Sequence, residues 1–335
     1  MNREEIAAKI ADMEKLIQNK SAVSSQDDGI GSDSETEFAL CLGGGGGKGA
    51  YQLGVYEALS EYGIWDRVTA IAGASIGSIN SVLFAGADPE KSRKAWDEIE
   101  FETVFDVDPD LVLDGKPGFM TRREMIRLMD SYVDYDIVAH GDRRIWSVIS
   151  ECSPDGSRKP LYVELTNLSK SDIEKVVLAS SALPVLYEPV EYKGKKYYDG
   201  GVTDNVPVKP LYDAGYRNII ICGLNPDSRK KLGEFEGLKA IEIYPSLDLG
   251  DLMTGTLDFS ADSTKFRYML GYKDAVRTLK AELLREPAYI ANLDHYKAID
   301  IADIETQMRM DRSSSAAKSS MDGINRILTG LGIEN

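Results

Sequence analysis

Positive charge is scarce in this sequence, and that scarcity narrows the choice of partners. The 335 residues include 39 lysines and arginines against 55 aspartates and glutamates, giving a formal net charge of −16. Nucleic acid is excluded as a partner, because binding its phosphates needs a basic protein surface. The same charge opposes attraction to anionic lipid, so any contact with a membrane has to be local and apolar.

Cysteine and long apolar runs are also scarce. The three cysteines, Cys41, Cys152 and Cys222, have no metal-like spacing, which predicts buried thiols in a reducing compartment. No stretch reaches 18 apolar residues, so no membrane-spanning helix is expected. The first residues, MNREEIAAKIADMEK, lack the basic start and apolar region of a signal peptide. We therefore expect a cytoplasmic protein that contacts membranes only transiently and peripherally.

The chain divides into three predicted segments. Residues 1–36 hold an amphipathic helix over residues 3–19 and a polar, acidic linker. Residues 37–225 alternate short apolar strands with helical patterns and form the predicted core. Residues 226–335 form a predicted extension, mostly helical, that packs on the core. The N-terminal helix either packs on its own domain, gates a cleft or pairs with a second copy, which would give a homo-oligomer.

Short apolar runs indicate the fold class. They read FALCL, RVTAIAG, RIWSVIS, LYVEL, NIIICGL and AIEIYP. These runs are nearly continuous rather than alternating, which is typical of strands buried on both faces of a largely parallel sheet. The sequence therefore predicts an α/β fold: a three-layer α/β/α arrangement with a mainly parallel central sheet and helical N- and C-terminal additions.

Five glycines in a row, residues 43–47, follow the first predicted strand. A phosphate-binding P-loop is excluded, because Lys48 is followed by Gly49 and not by Ser or Thr. A dinucleotide-binding turn fits the spacing of Gly44, Gly46 and Gly49, but the next strand lacks the acidic residue that holds a ribose. The third alternative is a loop whose backbone N–H groups stabilise an oxyanion, and such a loop needs a nucleophile nearby.

A second glycine motif supplies a candidate nucleophile. Gly73-Ala74-Ser75-Ile76-Gly77 reads G-x-S-x-G between an apolar strand and a helix, the context of a nucleophile elbow. The turn around such a serine is tight, so Gly73 and Gly77 avoid clashes with the strand and the helix. Ser75 would lie at the amino end of a helix, whose dipole favours a developing alkoxide. Lys48 either adds positive potential at this site or is a solvated lysine at a helix end.

The serine needs a general base, and the residues leave two candidates. His140 lies in the polar stretch VAHGDRR and reads as a surface residue. His295 follows the serine in sequence and would complete a Ser…Asp…His order, although its setting, ANLDHYKAID, is not typical of a catalytic turn. Asp199 stands at the end of a short predicted strand and before two glycines, where a carboxylate can face a cleft.

Three motifs together resemble the patatin-like phospholipases, in particular the bacterial type of patatin domain. They occur in the order Gly44-Gly45-Gly46-Gly47-Lys48-Gly49, Gly73-Ala74-Ser75-Ile76-Gly77 and Asp199-Gly200-Gly201. The stretches ASSALPVLYEPV and DNVPV, before and after the last motif, fit as well, so the resemblance covers about residues 37–225. The family often has arginine where Lys48 stands, which keeps the charge but not the fork geometry.

The resemblance implies a function as well as a fold. It implies a lipid acyl hydrolase of the phospholipase A type, with Ser75 as nucleophile, Asp199 as general base and the main chain of Gly44, Gly45 and Gly46 as oxyanion hole. It implies neither a metal nor a cofactor, and its substrate would be a phospholipid or another acyl-ester lipid. Two alternatives remain: an interaction protein on a silent or gated patatin scaffold, and a dinucleotide-binding protein.

Overall fold

The computed structural model describes residues 36–99, 106–107, 120–153, 155–184, 186–285 and 287–330. The predicted N-terminal helix lies outside these residues. Ten strands are present in them: β1 Phe38–Leu42, β2 Val68–Ala74, β3 Asp106–Val107, β4 Met120–Thr121, β5 Arg144–Cys152, β6 Arg158–Glu164, β7 Val190–Tyr192, β8 Lys195–Asp199, β9 Asn218–Cys222 and β10 Lys239–Ile243.

Eight of the strands form the central sheet. Its order is β10-β9-β1-β2-β5-β8-β7, with β6 paired to β5, while β3 and β4 form a separate antiparallel pair. The first five strands of this order run parallel, and β6, β7 and β8 pair antiparallel. The predicted mainly parallel sheet is therefore confirmed. One strand was misplaced: LYVEL belongs to β6, an exposed to half-buried antiparallel strand rather than a buried parallel one.

Helices cover both faces of the sheet. The α-helices are α1 Ala50–Glu61, α2 Ile76–Gly86, α3 Pro89–Asp97, α4 Arg123–Tyr132, α5 Tyr135–His140, α6 Lys170–Ser180, α7 Val208–Asp213, α8 Ala261–Leu279, α9 Pro287–Ile290 and α10 Leu293–Gly330. Short 3₁₀ turns span Gly46–Gly49, Trp65–Arg67, Gly200–Val202 and Pro226–Ser228, and π-helical turns span Leu252–Thr256 and Lys280–Leu284. None of the helices in the described ranges is long and apolar enough to cross a bilayer.

Alternating side chains of β1 explain the three layers. Leu40 and Leu42 point into a large core that includes residues of α1, α2, α6 and α8. Ala39 and Cys41 point to the opposite face, into a smaller core with Val208 of α7. Since successive side chains of a strand point to opposite faces, one buried strand serves both cores. The predicted α/β/α layering is confirmed.

The C-terminal helices lie against this framework. α8 packs closely on α1, because Gly54 and Gly271 leave room for main chain: a Cβ on Gly271 would lie 2.0 Å from the Tyr51 carbonyl oxygen. α10 contributes the buried Ile304 and Met308 to the same core. It continues through the Ser/Ala-rich residues 313–320 without a break. The division of the chain at residues 36 and 225 stays a prediction.

Candidate active site

Two strands meet end to end at the site. β6 pairs with β5 over residues 146–152 and so occupies one edge of β5. Two strands share the other edge of β5. Its first half pairs with β2, whose last residue Ala74 lies opposite Val148. Its second half pairs with β8, whose last residue Asp199 lies opposite Ile149. The residue after β2 and the residue that ends β8 are therefore neighbours. Ser75 Oγ donates a hydrogen bond of 2.6 Å to Asp199 Oδ2.

Ser75 occupies a strained turn. Its φ of 54° and ψ of −125° are uncommon for a residue with a side chain, and the following residue begins α2. Its N–H donates to Ser180 Oγ at 3.0 Å. The flanking glycines are required by space: a Cβ on Gly73 would lie 2.1 Å from the Gly77 carbonyl oxygen, and one on Gly77 2.2 Å from that of Leu42. This is the elbow geometry that the sequence predicted.

Asp199 is buried beside the serine and shares no ion pair with a described residue. Its Oδ1 accepts a hydrogen bond of 2.7 Å from the Gly201 N–H, which orients the carboxylate. Burial raises the pKa of Asp199 from 3.8 to about 6, against the opposing hydrogen bonds from Ser75 and Gly201. Gly200 lies against β5, where a Cβ would come within 2.1 Å of the Val148 carbonyl oxygen. The carboxylate is thus ionised at neutral pH and more basic than a solvated aspartate.

Gly45 and Gly46 of the glycine loop line the polar cleft beside Ser75. Gly44 donates its N–H to the Asn205 carbonyl oxygen at 3.1 Å, and its own carbonyl oxygen accepts from the Asn205 amide at 3.3 Å. Among the described residues, the N–H groups of Gly45 and Gly46 have no acceptor. The hydrogen bond to Asn205 argues against Gly44 as a donor to a substrate, and for Gly44 as part of the brace that holds the loop.

Close packing fixes the rest of this loop. Gly46 has a φ of +56°, and a Cβ there would lie 2.1 Å from the Thr256 carbonyl oxygen. A Cβ on Gly49 would lie 2.4 Å from the Ile76 side chain and 3.1 Å from the Trp96 ring. Only residues without a side chain fit at these two positions.

Lys48 is not a solvated lysine. It is 8% exposed, and its Nζ donates to the Gly250 carbonyl oxygen. Desolvation lowers its pKa, against the attraction of Asp248 and Asp251. The side chain therefore ties the glycine loop to the turn over residues 250–256, while its charge lies at the edge of the cleft beside Ser75.

Neither histidine lies in this site. His140 ends α5 and pairs with the exposed Asp136 at 2.9 Å. His295 lies in α10, where its ring stands beside Tyr296. Of the candidate bases in the described ranges, only Asp199 contacts Ser75.

Two cavities of different polarity flank Ser75. The apolar cavity is lined by Gly46, Ser75, Ile76, Ile79, Arg122, Met125, Ser181, Leu183, Tyr187, Thr256 and Phe259. The more polar cleft is lined by Gly44, Gly45, Gly46, Lys48, Ser75, Leu183, Asp199, Gly201, Val202, Asn205, Leu224, Asn225 and Thr256. A serine placed between an apolar and a polar space suits an ester that joins an apolar acyl group to a polar alcohol. Neither Thr256 nor Phe259 carries a sequence signal that could have assigned it to this site.

Comparison with known proteins identifies a family for this chain. The family model for the patatin-like phospholipase domain matches residues 40–212, a stretch that contains Ser75 and Asp199. The human patatin-like phospholipase domain-containing protein 4 is 26% identical over 268 residues, which cover 73% of this chain and 96% of that protein. Lysophospholipase NTE1 of Cryptococcus neoformans var. neoformans serotype D (strain JEC21) is 29% identical over 193 residues, 55% of this chain. The aligned stretch spans only 11% of the length of that fungal relative.

Solved structures are similar at a looser level. VipD from Legionella pneumophila has a TM-score of 0.42 and 14% identity, with 90% of this chain and 81% of VipD covered. Human GIVD cytosolic phospholipase A2 has a TM-score of 0.44 and 10% identity, with 79% and 61% covered.

Proposed function

Because this chain belongs to the patatin-like phospholipase family, we propose that it is a lipid acyl hydrolase with Ser75 as nucleophile and Asp199 as general base. The observation that carries the proposal is the 2.6 Å hydrogen bond from Ser75 Oγ to a buried carboxylate. A serine hydroxyl is a weak nucleophile until a base within hydrogen-bond reach removes its proton. Asp199 has the contact, the burial and the raised pKa that this role needs.

The reaction proceeds in two halves. Asp199 Oδ2 takes the Ser75 proton as Oγ bonds to the ester carbonyl carbon, and the carbonyl oxygen becomes an oxyanion. When the carbon–oxygen bond to the alcohol breaks, Asp199 returns its proton to the leaving alkoxide and an acyl-serine remains. Water then attacks the acyl carbon, Asp199 takes the water proton, and the proton returns to Ser75 Oγ as the fatty acid leaves.

The N–H groups of Gly45 and Gly46 form the oxyanion hole in this proposal. They have no acceptor within the described part of the chain, and they belong to the loop that faces Ser75. Preorganised backbone donors stabilise the negative charge that develops on the carbonyl oxygen. Gly44, whose N–H is bonded to Asn205, braces the loop from behind.

The substrate in this proposal is a phospholipid or another acyl-ester lipid. The apolar cavity takes the start of the acyl chain, and the polar cleft takes the alcohol. Contact with a membrane surface is peripheral. Leu252 and Met253, 61% and 68% exposed in the turn that ends at Thr256, and Val202, 44% exposed at the cleft, are apolar side chains that could make it. A cytoplasmic location stays part of the proposal.

The segment over residues 1–36 has two proposed roles, gating of the cleft and self-association through the helix predicted over residues 3–19. Its deletion separates these roles. A change in activity supports gating, and a loss of oligomeric mass in light scattering supports self-association. Both hypotheses are contradicted if activity and mass stay the same.

The experiment that tests the function is fatty-acid release from mixed phospholipid vesicles. We compare the natural sequence with Ser75→Ala and with Ser60→Ala, a matched change on α1 whose hydroxyl bonds only within its own helix. Release should vanish in Ser75→Ala and persist in Ser60→Ala. Release that survives in Ser75→Ala would contradict the proposal. Absence of release from the natural sequence, together with no reaction of Ser75 with a fluorophosphonate, would favour a silent patatin scaffold.

A further inference from the structure

A second, larger cavity lies behind the apolar one, between α1, α3 and α8. Its volume is about 780 Å³, against about 50 Å³ for the apolar cavity beside Ser75. Buried apolar side chains form much of its wall, among them Leu53, Trp96 and Ile99. Arg93 stands at its rim, where the guanidinium pairs with Glu57. The cavity is therefore amphipathic, with an apolar wall and a charged edge.

The cavity beside Ser75 is too small for a long acyl chain. On this measure one water molecule needs about 10–15 Å³, so about 50 Å³ corresponds to a few waters, or the first few carbons of a chain. Pockets that bury most of a drug-sized ligand have volumes of about 300–1,000 Å³. The larger cavity is in this range, and the smaller one is not.

One side chain belongs to the walls of both cavities. Phe259, 4% exposed, lines the cavity beside Ser75 and also the larger one. A second point of contact lies at Gly49, whose missing side chain leaves Ile76, on the wall of the smaller cavity, beside Trp96, on the wall of the larger. The partition between the two spaces is therefore thin, and Phe259 is part of it.

Arg267 of α8 anchors the segment that precedes Phe259 through hydrogen bonds and an ion pair. Arg267 of α8 is 3% exposed and donates to the carbonyl oxygens of Asp258 and Thr254, at 2.5 and 3.0 Å. It also pairs with the Asp258 carboxylate at 3.2 Å. These contacts fix the backbone on the amino-terminal side of Phe259 and hold its side chain in the wall between the two cavities.

We propose that Phe259 sets the acyl-chain preference of this protein, by controlling passage of the distal acyl carbons from the cavity at Ser75 into the cavity between α1, α3 and α8. The inference rests on the proposed function and deepens it, since it assigns the larger cavity to the far end of the same chain. Short acyl groups stay within the cavity beside Ser75. Long ones pass Phe259 and lie along Leu53 and Trp96.

The test measures hydrolysis of p-nitrophenyl esters of 4, 8 and 12 carbons by five proteins, the natural sequence and four variants. Phe259→Trp narrows the passage, and Ala261→Trp fills the larger cavity from its exposed side without touching the wall beside Ser75. Ala302→Trp, an equally exposed position on α10 that lines neither cavity, is the matched control. We expect both cavity variants to lower kcat/KM for the 12-carbon ester at least 10-fold, and we expect Ala261→Trp, which lines only the larger cavity, to leave the 4-carbon ester within 2-fold of the natural sequence.

Phe259→Ala completes the set, because opening the passage should raise the ratio of 12-carbon to 4-carbon kcat/KM. Equal chain-length profiles in the natural sequence, Phe259→Trp and Ala261→Trp would overturn the inference and leave the proposed function intact, as long as the 4-carbon ester is cleaved. A profile that changes equally in Ala302→Trp would also overturn it, since the effect would then be unspecific. Absence of turnover of every ester by the natural sequence would instead contradict the proposed function.

Discussion

At the scale of single residues, the site depends on a carboxylate that is costly to ionise. Asp199 is 2% exposed and has two hydrogen-bond donors, the Ser75 hydroxyl and the Gly201 N–H. Two donors offset only part of the cost of burial, which is why its pKa stays above that of a solvated aspartate. The residual basicity is what a base for a serine hydroxyl needs.

The raised pKa of Asp199 predicts the direction of two pH dependences. Only the ionised base can accept a proton, so kcat/KM should rise with pH to a plateau above about pH 6. Stability moves the other way: a carboxyl whose pKa is raised from 3.8 to about 6 favours the folded state below pH 4 and loses that contribution as pH rises through 6. The difference is at most about 3 kcal/mol.

Asp199→Asn checks both directions. The variant should be inactive. Its free energy of unfolding in urea, minus that of the natural sequence, should increase as the pH rises from 4 to 7.5, because only the natural sequence loses stability when Asp199 ionises. A flat activity profile from pH 5 to 8 in the natural sequence would contradict the role of Asp199 as base, and so would full activity in the variant.

Gly46 gives a prediction about the oxyanion loop. Gly46→Ala puts a Cβ against the Thr256 carbonyl oxygen at a φ of +56°, so the loop and its N–H groups must move. We expect kcat to fall about 10²–10³-fold, the cost of losing one oxyanion donor. Gly63→Ala is the control, because Gly63 also has positive φ but open space around it. It should cost about 1 kcal/mol of stability and no activity. Equal activity losses in the two variants would contradict this account.

At the scale of elements, the site is held by helices that touch through their backbones. α8 carries Arg267, which fixes the turn beneath the glycine loop, and α8 itself rests on α1. A Cβ on Gly54 would lie 2.0 Å from the Tyr268 carbonyl oxygen, and one on Gly271 equally close to that of Tyr51. The contact tolerates no added methyl group on either side.

The direction of the stability change in Gly271→Ala therefore tests this contact. Gly→Ala inside an exposed helix stabilises by about 1 kcal/mol, through helix propensity. Here overpacking should dominate and destabilise the protein by about 1–3 kcal/mol, measured by thermal or urea unfolding. A variant more stable than the natural sequence would show that the two helices are not in the contact described.

The sequence predicted the parts of the site that depend on local geometry. The glycines around Ser75 and after Asp199 mark tight turns, because a short stretch of chain determines where a side chain has no room. The strand register that brings Ser75 next to Asp199 could not be predicted from the sequence. It depends on Val148 and Ile149 of β5 pairing with the ends of two strands that are far apart in sequence. Phe259 follows no glycine or strand pattern, and only tertiary packing brings it to the cavity.

At the scale of the whole molecule, residues on both sides of the family boundary complete the site. The family match ends at residue 212, yet Asn225, Thr256 and Phe259 line the cavities around Ser75. Residues beyond 225 also supply β10 and the buried face of α8. We infer that the C-terminal part is not a separable addition.

A chain that ends at residue 225 tests this inference. This truncation removes α8 and so exposes the buried face of α1, including Tyr51 and Leu53. It also removes β10, which leaves β9 as an open sheet edge. We expect the truncated protein to be insoluble or to lack a cooperative unfolding transition in circular dichroism. A soluble, cooperatively folded and active fragment would contradict the inference.

The most direct measurement for the central claim is intact-protein and peptide mass spectrometry after reaction with a long-chain alkyl fluorophosphonate, a reagent that phosphonylates activated serines. The account predicts one adduct per chain, on the peptide that contains Ser75, with no adduct in Ser75→Ala and a much slower reaction in Asp199→Asn. An adduct on another serine, or equal rates in the natural sequence and Asp199→Asn, would contradict the claim that Asp199 activates Ser75.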